Sequence, residues 1–391
     1  MIQYVDLTSP TMKVSFEFVH LQIIFLTLFV VIYSFLMFST HRLTKLLKTI
    51  ILRSHQNPIQ NSNTSTGNMA SSIEHRTINV NGINMHVAIK GPENAPVILF
   101  IHGFPQLWYS WRHQIEALSS LGYRAVAPDL RGYGDTDAPA EVSSYTVLHV
   151  VGDLIGLLDV VAPNKESVFV VGHDWGALMA WHLSLFRPDR VKAFVALSVL
   201  FNPRNPSRKV ISTLKAVYGD DYYMIRFQEP GEIEAEFAEM GTERVLMECL
   251  SYRTPAPLFL PKGQGFNGKS LDTPIVLPTW LSEEDVKYYT SKFEQKGFAG
   301  GLNYYRNLDR NWELTAPWTG AQVKVPVKFI VGDQDLTYNS LGAKDYIAKG
   351  GLKRDVPLLE DVVVMEGVGH FINEEKADEI SKHIYDFFQK F

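Results

Sequence analysis

Val168-Phe-Val-Val-Gly-His-Asp-Trp-Gly-Ala177 decides how the rest of the chain is read. Four apolar residues rich in β-branched and aromatic side chains run into Gly172, and Ala177-Leu-Met-Ala-Trp-His-Leu183 beyond reads as helix. Asp174 stands between Gly172 and Gly176. A strand, a sharp turn and a helix in that order are the setting of a nucleophile elbow. Glycines on both sides let strand and helix approach closely and push the central side chain out at the carboxyl edge of a sheet. With Asp at the centre in place of Ser, the nucleophile would be a carboxylate. Carboxylates attack saturated carbon well but are poor acyl-transfer nucleophiles, which points to alkyl transfer and away from peptidase or lipase chemistry. The plain alternative is a strand-to-helix turn in which Asp174 only caps the helix.

Outward from the elbow, strand and helix patterns alternate. Arg76–Val80 and Asn84–Ile89 flank Asn81-Gly82, a strong hairpin signal. Ala95–Ile101 is an apolar strand that ends in His102-Gly-Phe-Pro105. A helical stretch over Ser110–Leu121 comes next, then a strand at Tyr123–Pro128 that leads into Asp129-Leu-Arg-Gly-Tyr-Gly-Asp135. A helix over Tyr145–Val161 precedes the elbow strand, and Val191–Ser198 comes after the elbow helix. This alternation predicts a mostly parallel, doubly wound α/β sheet. Between residues 201 and 317 the rhythm changes to Pro-rich turns and helical stretches at Gly231–Met240, Thr242–Tyr252 and Ser282–Gly297. Strand character returns at Val325–Val331 and Asp361–Met365, and a final helix is expected over Asn373–Phe388. The simplest architecture is a hydrolase core of residues 72–200 and 318–391, with residues 201–317 inserted as a helical cap over the carboxyl ends of the strands.

The composition suits such a chain: 46% hydrophobic and 20% charged residues over 391 positions. A net charge of −5 gives no sign of nucleic-acid binding. The single cysteine, Cys249, excludes an internal disulfide and any cysteine-based metal site. Before the core, Leu21–Phe38 is almost continuously apolar, with Arg42, Lys45, Lys48 and Arg53 beyond it. Residues 19–38 therefore reach, barely, the length of a membrane-crossing helix, about 20 residues. The positive-inside rule keeps the chain beyond this segment cytosolic, anchored to the endoplasmic reticulum or another endomembrane. Residues 1–68 thus read as an N-terminal extension with a hydrophobic helix and a polar linker. If translation starts at Met69 instead, the protein is cytosolic.

A carboxylate nucleophile forms an ester that must be hydrolysed, so a histidine must activate water and an acid must orient that histidine. Gly367-Val-Gly-His370 comes after the last strand, and Val331-Gly-Asp-Gln-Asp335 after the one before it. Asp333 and Asp335 are both candidate acids, and the order nucleophile, acid, histidine is that of the α/β hydrolases. The backbone N–H groups of Phe104 and Trp175 are the candidate oxyanion donors. His102 reads as a structural loop histidine rather than a base.

Taken together, His102-Gly-Phe-Pro105, Asp129-Leu-Arg-Gly-Tyr-Gly-Asp135, Gly172-His-Asp-Trp-Gly-Ala177, Asp335 and Gly369-His370 resemble the α/β-hydrolase epoxide hydrolases, most closely their soluble plant branch. The likeness runs from about Ser72 to Phe391. It implies Asp335 as the acid and two cap tyrosines that hold the epoxide oxygen. Gly219-Asp-Asp-Tyr-Tyr223 places one at Tyr223, and Gly301-Leu-Asn-Tyr-Tyr305 places the other at Tyr305, with Tyr222 and Tyr304 as their nearest alternatives. A phenol of pKa near 10 suits this task, since the leaving alkoxide is far more basic. Gln106 stands where plant relatives often carry a glutamate that helps hold the hydrolytic water, so altered ester hydrolysis is expected. Tyr222 stands where many have histidine, which puts the family's pH dependence in doubt. The implied reaction adds water to a lipophilic epoxide, of fatty-acid or terpenoid type, through an alkyl ester of Asp174. It needs no cofactor or metal, and the assembly is a monomer or homodimer. A haloalkane dehalogenase and a catalytically idle ligand receptor on the same fold are the alternatives.

Overall fold

The computed structural model describes residues 72–163 and 167–391. The expected segment at 19–38 and its linker lie outside them. Among the described residues no helix is long and apolar enough to cross a membrane.

Eight strands form one sheet: β1 Glu74–Val80, β2 Ile83–Lys90, β3 Val97–Ile101, β4 Arg124–Pro128, β5 Val168–His173, β6 Val191–Leu197, β7 Val327–Gly332 and β8 Leu359–Met365. Their order is β1-β2-β4-β3-β5-β6-β7-β8. Only β2 runs against its neighbours, and β3 to β8 are parallel. The hairpin at Asn81-Gly82 has both residues at positive φ, 47° and 83°, as a tight two-residue turn between twisted strands requires. Every residue of β3, β4 and β5 is buried, and apart from Arg124 at the start of β4 and His173 at the end of β5 these strands read as apolar runs without alternation.

Helices α1 Arg112–Ser120, α2 Val147–Val161 and α3 Trp175–Phe186 make the crossovers from β3 to β4, β4 to β5 and β5 to β6. The first moves toward one edge of the sheet and the next two toward the other. Right-handed crossovers therefore put α1 on one face and α2 and α3 on the opposite one. The winding reverses where β3 lies beside β5, and ligands of open α/β sheets bind in the crevice at such a point.

Between β6 and β7 come α4 Val210–Tyr218, α5 Tyr223–Arg226, α6 Glu232–Met240, α7 Thr242–Leu250, α8 Glu283–Lys296, α9 Ala299–Arg306 and α10 Leu308–Leu314. This inserted helical layer holds more helices than the periodicity suggests. The short α5 and α10 carry too few turns for a pattern, and Gly300-Gly301 in α9 argues against helix on propensity. Packing supplies the reason for those glycines. A Cβ on Gly300 would lie 2.3 Å from the Gly132 carbonyl oxygen, and one on Gly301 would lie 2.8 Å from the Phe104 ring. The helix that carries Tyr305 thus meets the loop after β4 backbone to backbone. After β7 come α11 Ala343–Ala348 and α12 Gly351–Asp355. The expected single terminal helix is two, α13 Ile372–Glu375 and α14 Ala377–Phe388, broken at Lys376. The break lets Asn373 and Glu374 turn into the interior, where the Asn373 side-chain amide donates to the Ser110 carbonyl at 3.0 Å.

Because the atom opposing a Cβ at Gly300 is main chain, it cannot swing aside. Gly300→Ala should cost about 1–3 kcal/mol as overpacking does, seen as a lower urea midpoint, and should depress turnover further by moving Tyr305. An unchanged midpoint and unchanged turnover would show that the contact is dispensable.

Candidate active site

The loops after β3, β5, β7 and β8 converge at the carboxyl edge of the sheet. In β3 and β5, Ile101 pairs with Gly172, so two residues on, Gly103 and Asp174 lie at the same level. Asp174 turns the chain with φ 54° and ψ −122°, a conformation that costs an L-residue about 1–3 kcal/mol. Three glycines leave room for it. A Cβ at Gly172 would lie 2.5 Å from the Gly176 carbonyl oxygen, and one at Gly176 would lie 1.9 Å from that of Ile101. At Gly103 it would lie 2.3 Å from Asp174 Oδ1. Beyond the adjacent Trp175 N–H the Asp174 side chain makes no capping bond into the first turn of α3, so the helix-cap alternative does not describe it.

Asp174 faces inward. The Phe104 N–H donates to Oδ1 at 2.8 Å, and Oδ2 lies 3.5 Å from His370 Nε2. The other ring nitrogen of His370, Nδ1, is 2.9 Å from Asp335 Oδ1, which also accepts from the Thr337 N–H at 2.7 Å. Asp335 is fully buried. The other candidate acid, Asp333, accepts from the Gly367 N–H at 2.8 Å and holds the turn before His370.

Burial and charge oppose each other in this group. Burial raises the Asp174 carboxyl, but the hydrogen bond and charge of His370, with His173 and the Trp175 N–H, hold it below the usual carboxylate range. Burial raises Asp335 too, and His370 outweighs it. Burial lowers His370, yet the flanking carboxylates Asp335 and Asp174 push it up to about 10. The two carboxylates thus favour the protonated imidazole, and it in turn favours their ionised forms.

Tyr305 and Tyr223 lie over this group and are buried. The Tyr305 ring is edge-on to Trp175 at 4.9 Å and to Phe104 at 5.7 Å, and Tyr223 lies 5.9 Å from Tyr305. Burial raises both phenols well above their ordinary value, and Asp174's charge adds to it, so both keep their protons. Their neighbours are otherwise engaged. The Tyr304 hydroxyl donates to the Arg131 carbonyl at 3.0 Å, and Tyr222 stacks on Tyr218 at 4.5 Å. His102 is fully buried. Its Nδ1 faces the Gly103 carbonyl at 3.0 Å and its Nε2 accepts from the Leu130 N–H at 3.0 Å, so both nitrogens serve the loops after β3 and β4.

Two residues escaped the sequence reading. His173, inside the elbow, bonds through Nε2 to the His370 carbonyl at 2.8 Å and supports the loop that carries that ring. Burial, aided by the charge of His370, pulls it down to about 4, so it stays neutral. Glu374, in α13, accepts from the Gln106 amide at 2.5 Å and from Arg112 at 2.5 Å. The expectation that Gln106 leaves its surroundings without a negative charge needs this addition: a carboxylate lies against it, supplied by the terminal segment. His173 repeats a residue type common in turns. Glu374 lies four positions beyond His370 and reads as an ordinary acidic residue in a helix's first turn.

A family model for the alpha/beta hydrolase fold matches residues 96–377. Epoxide hydrolase 3 of Siraitia grosvenorii is 60% identical over 319 residues, which are 82% of this chain and 99% of the relative. Epoxide hydrolase A of Mycobacterium tuberculosis is 36% identical, over 80% of this chain and 96% of its own length. Among solved structures, potato (Solanum tuberosum) epoxide hydrolase I superposes with a TM-score of 0.79 at 62% identity, covering 82% of this chain and 100% of that one. The chain belongs to the α/β-hydrolase fold family, in its epoxide hydrolase branch.

Since Asp174 helps hold the proton on His370, Asp174→Asn should lower the pH at which His370 titrates. Ring NMR signals, with His370 assigned by their loss in His370→Gln, would measure this. An unmoved midpoint would mean that Asp335 alone sets the charge of His370.

Proposed function

We propose that the protein is an epoxide hydrolase that adds water to a lipophilic epoxide, of fatty-acid or terpenoid type, to give a vicinal diol. The observation that carries this reading is an aspartate at the elbow, 3.5 Å from a histidine that is paired with a second buried carboxylate, beneath two protonated cap phenols. Residues 72–200 and 318–391 act as the hydrolase core, and 201–317 as the cap that supplies the phenols.

In the first step Asp174 Oδ2 attacks the less hindered ring carbon from behind while Oδ1 stays on the Phe104 N–H. The ring C–O bond breaks, and Tyr223 and Tyr305 hydrogen-bond the departing oxygen, one giving it a proton. The product is an alkyl ester of Asp174. Esterification removes one of the two charges that hold the proton on His370, so its affinity for that proton falls when a base becomes necessary. His370 gives up its proton to restore the phenol, and neutral His370, oriented by Asp335, then takes one from water. The hydroxide attacks the Asp174 carboxyl carbon, and the oxyanion is met by the N–H groups of Phe104 and Trp175. Collapse expels the diol, and the proton on His370 neutralises its alkoxide. The hydrogen that the hydroxide brought leaves Asp174 as a carboxylic acid, and transfer of that proton to His370 restores the resting carboxylate and imidazolium.

Neither alternative is favoured. A dehalogenase has no use for paired phenols over the nucleophile, and a receptor would not need the buried Asp174, His370 and Asp335 set. The segment at 19–38 supports the reading of an endomembrane anchor with the catalytic part on the cytosolic side. Carbonate extraction of the full chain into the soluble fraction would remove it.

A single turnover in heavy-oxygen water tests the covalent route. The label should enter the Asp174 carboxyl, and the first diol should leave unlabelled; labelled diol with unlabelled Asp174 would mean direct attack by water. Tyr223→Phe and Tyr305→Phe should each slow alkylation, and together by roughly 10²–10⁴-fold, the usual worth of general acid catalysis. Alkylation at the wild-type rate in the double variant would exclude the phenols from this step.

A further inference from the structure

Gln106 is fully buried, and the two ends of its amide meet different fates. Nε2 donates to Glu374 Oε2 at 2.5 Å, while Oε1 is buried without a protein donor. An ionised carboxylate only accepts, so it admits one of the two amide orientations: the NH₂ toward Glu374 and the carbonyl oxygen away from it. A buried acceptor with no protein donor is the kind of atom that an ordered water satisfies. Glu374 is itself pinned. Its Oε1 accepts from Arg112 at 2.5 Å, and the Tyr289 hydroxyl donates to its Oε2 at 3.3 Å. Arg112 is shared with Asp285 at 3.0 Å, and Asp285 also accepts from the Tyr109 hydroxyl at 3.0 Å. Glu375, beside it, turns away to Arg253 and the Gly369 N–H.

The bond joins two parts of the site. Gln106 lies two residues past Phe104, whose N–H holds Asp174, and its own N–H closes the loop onto the Gly103 carbonyl at 2.9 Å. Glu374 lies four residues past His370, with its N–H on the Phe371 carbonyl at 3.0 Å.

We propose that Glu374 is a positioning residue for the hydrolysis step: as a carboxylate it locks the Gln106 amide so that the carbonyl oxygen is presented to the water that attacks the Asp174 ester. This rests on the reading of Asp174 as the ester-forming residue. Once protonated, Glu374 can donate to the carbonyl end of the amide, and the lock is lost. Burial, opposed by the charge and hydrogen bond of Arg112, pushes Glu374 up to about 7, so the lock should strengthen as pH rises through neutrality. The same geometry revises what Gln106→Glu would do. It would bring two carboxylates within 2.5 Å in place of restoring a missing charge.

Single turnovers of styrene oxide, with alkyl-Asp174 followed by rapid quench and mass spectrometry, test this in wild type, Glu374→Gln, Gln106→Glu and the exchanged double variant. Glu374→Gln should leave alkylation unchanged, slow ester hydrolysis by about tenfold or more, as loss of a charge-assisted hydrogen bond does, and flatten its rise across neutral pH. The double variant, one carboxylate and one amide in exchanged places, should recover hydrolysis. Unaltered hydrolysis with its pH dependence intact in Glu374→Gln would overturn the proposal, as would equal slowing of both steps. If Glu374→Gln fails to fold, recovery or its absence in the double variant decides. Absence of label from wild-type Asp174 would remove the covalent reading itself, whereas a labelled Asp174 with an unaffected Glu374→Gln removes only the role of Glu374.

Discussion

The backbone of Asp174 is held where an L-residue does not rest by choice, and much of the molecule serves to keep it there. A φ of 54° with ψ of −122° persists only if the surroundings over-determine it. Three glycines supply room, and the pairing of β3 with β5 supplies position. Gly103 meets the aspartate side chain where any Cβ would exclude it. The Phe104 N–H then reaches Oδ1 without a side chain intervening. A one-residue slip between β3 and β5 would carry the donor away from the acceptor and put a Cβ where there is no space. Sheet register is thus set by chemistry at its edge as well as by apolar packing within it.

Electrostatics completes what the backbone begins. Two carboxylates buried in a low-dielectric interior are costly unless paired. His370 serves both, and in return their charges favour its protonated form. Loss of the charge on either carboxylate would therefore lower the proton affinity of the ring without any movement of the protein.

Much of this was legible in the chain. The first two strands could be found from the Asn81-Gly82 hairpin signal and the others from short, largely apolar runs bounded by turn residues, and their alternation with helices left few ways to wind them. The elbow could be found because Gly172, Asp174 and Gly176 are local to one another. What could not be read depends on contacts distant in sequence. Asp333 and Asp335 share one loop and one chemistry, so only the resemblance chose Asp335; the physical ground is the turn after β7, in which the Asp335 side chain comes inward and Asp333 goes to Gly367. Glu374 carries no local mark, because its partners Gln106 and Arg112 lie some 260 residues away in sequence. The helix with Gly300-Gly301 was hidden for the opposite reason: local propensity speaks against it, and tertiary packing overrides propensity.

That close approach has a consequence for how such proteins diverge. The helix carrying Tyr305 is seated by main-chain contact between Gly300 and Gly132, and the Tyr304 hydroxyl on the Arg131 carbonyl fixes its rotation. Neither anchor depends on the side chains that line the remainder of the inserted layer. The seat of the helix that carries Tyr305 is therefore set by main chain and by one neighbouring hydroxyl. Substitutions elsewhere in the inserted layer can thus change its surface while the helix that carries Tyr305 keeps its place.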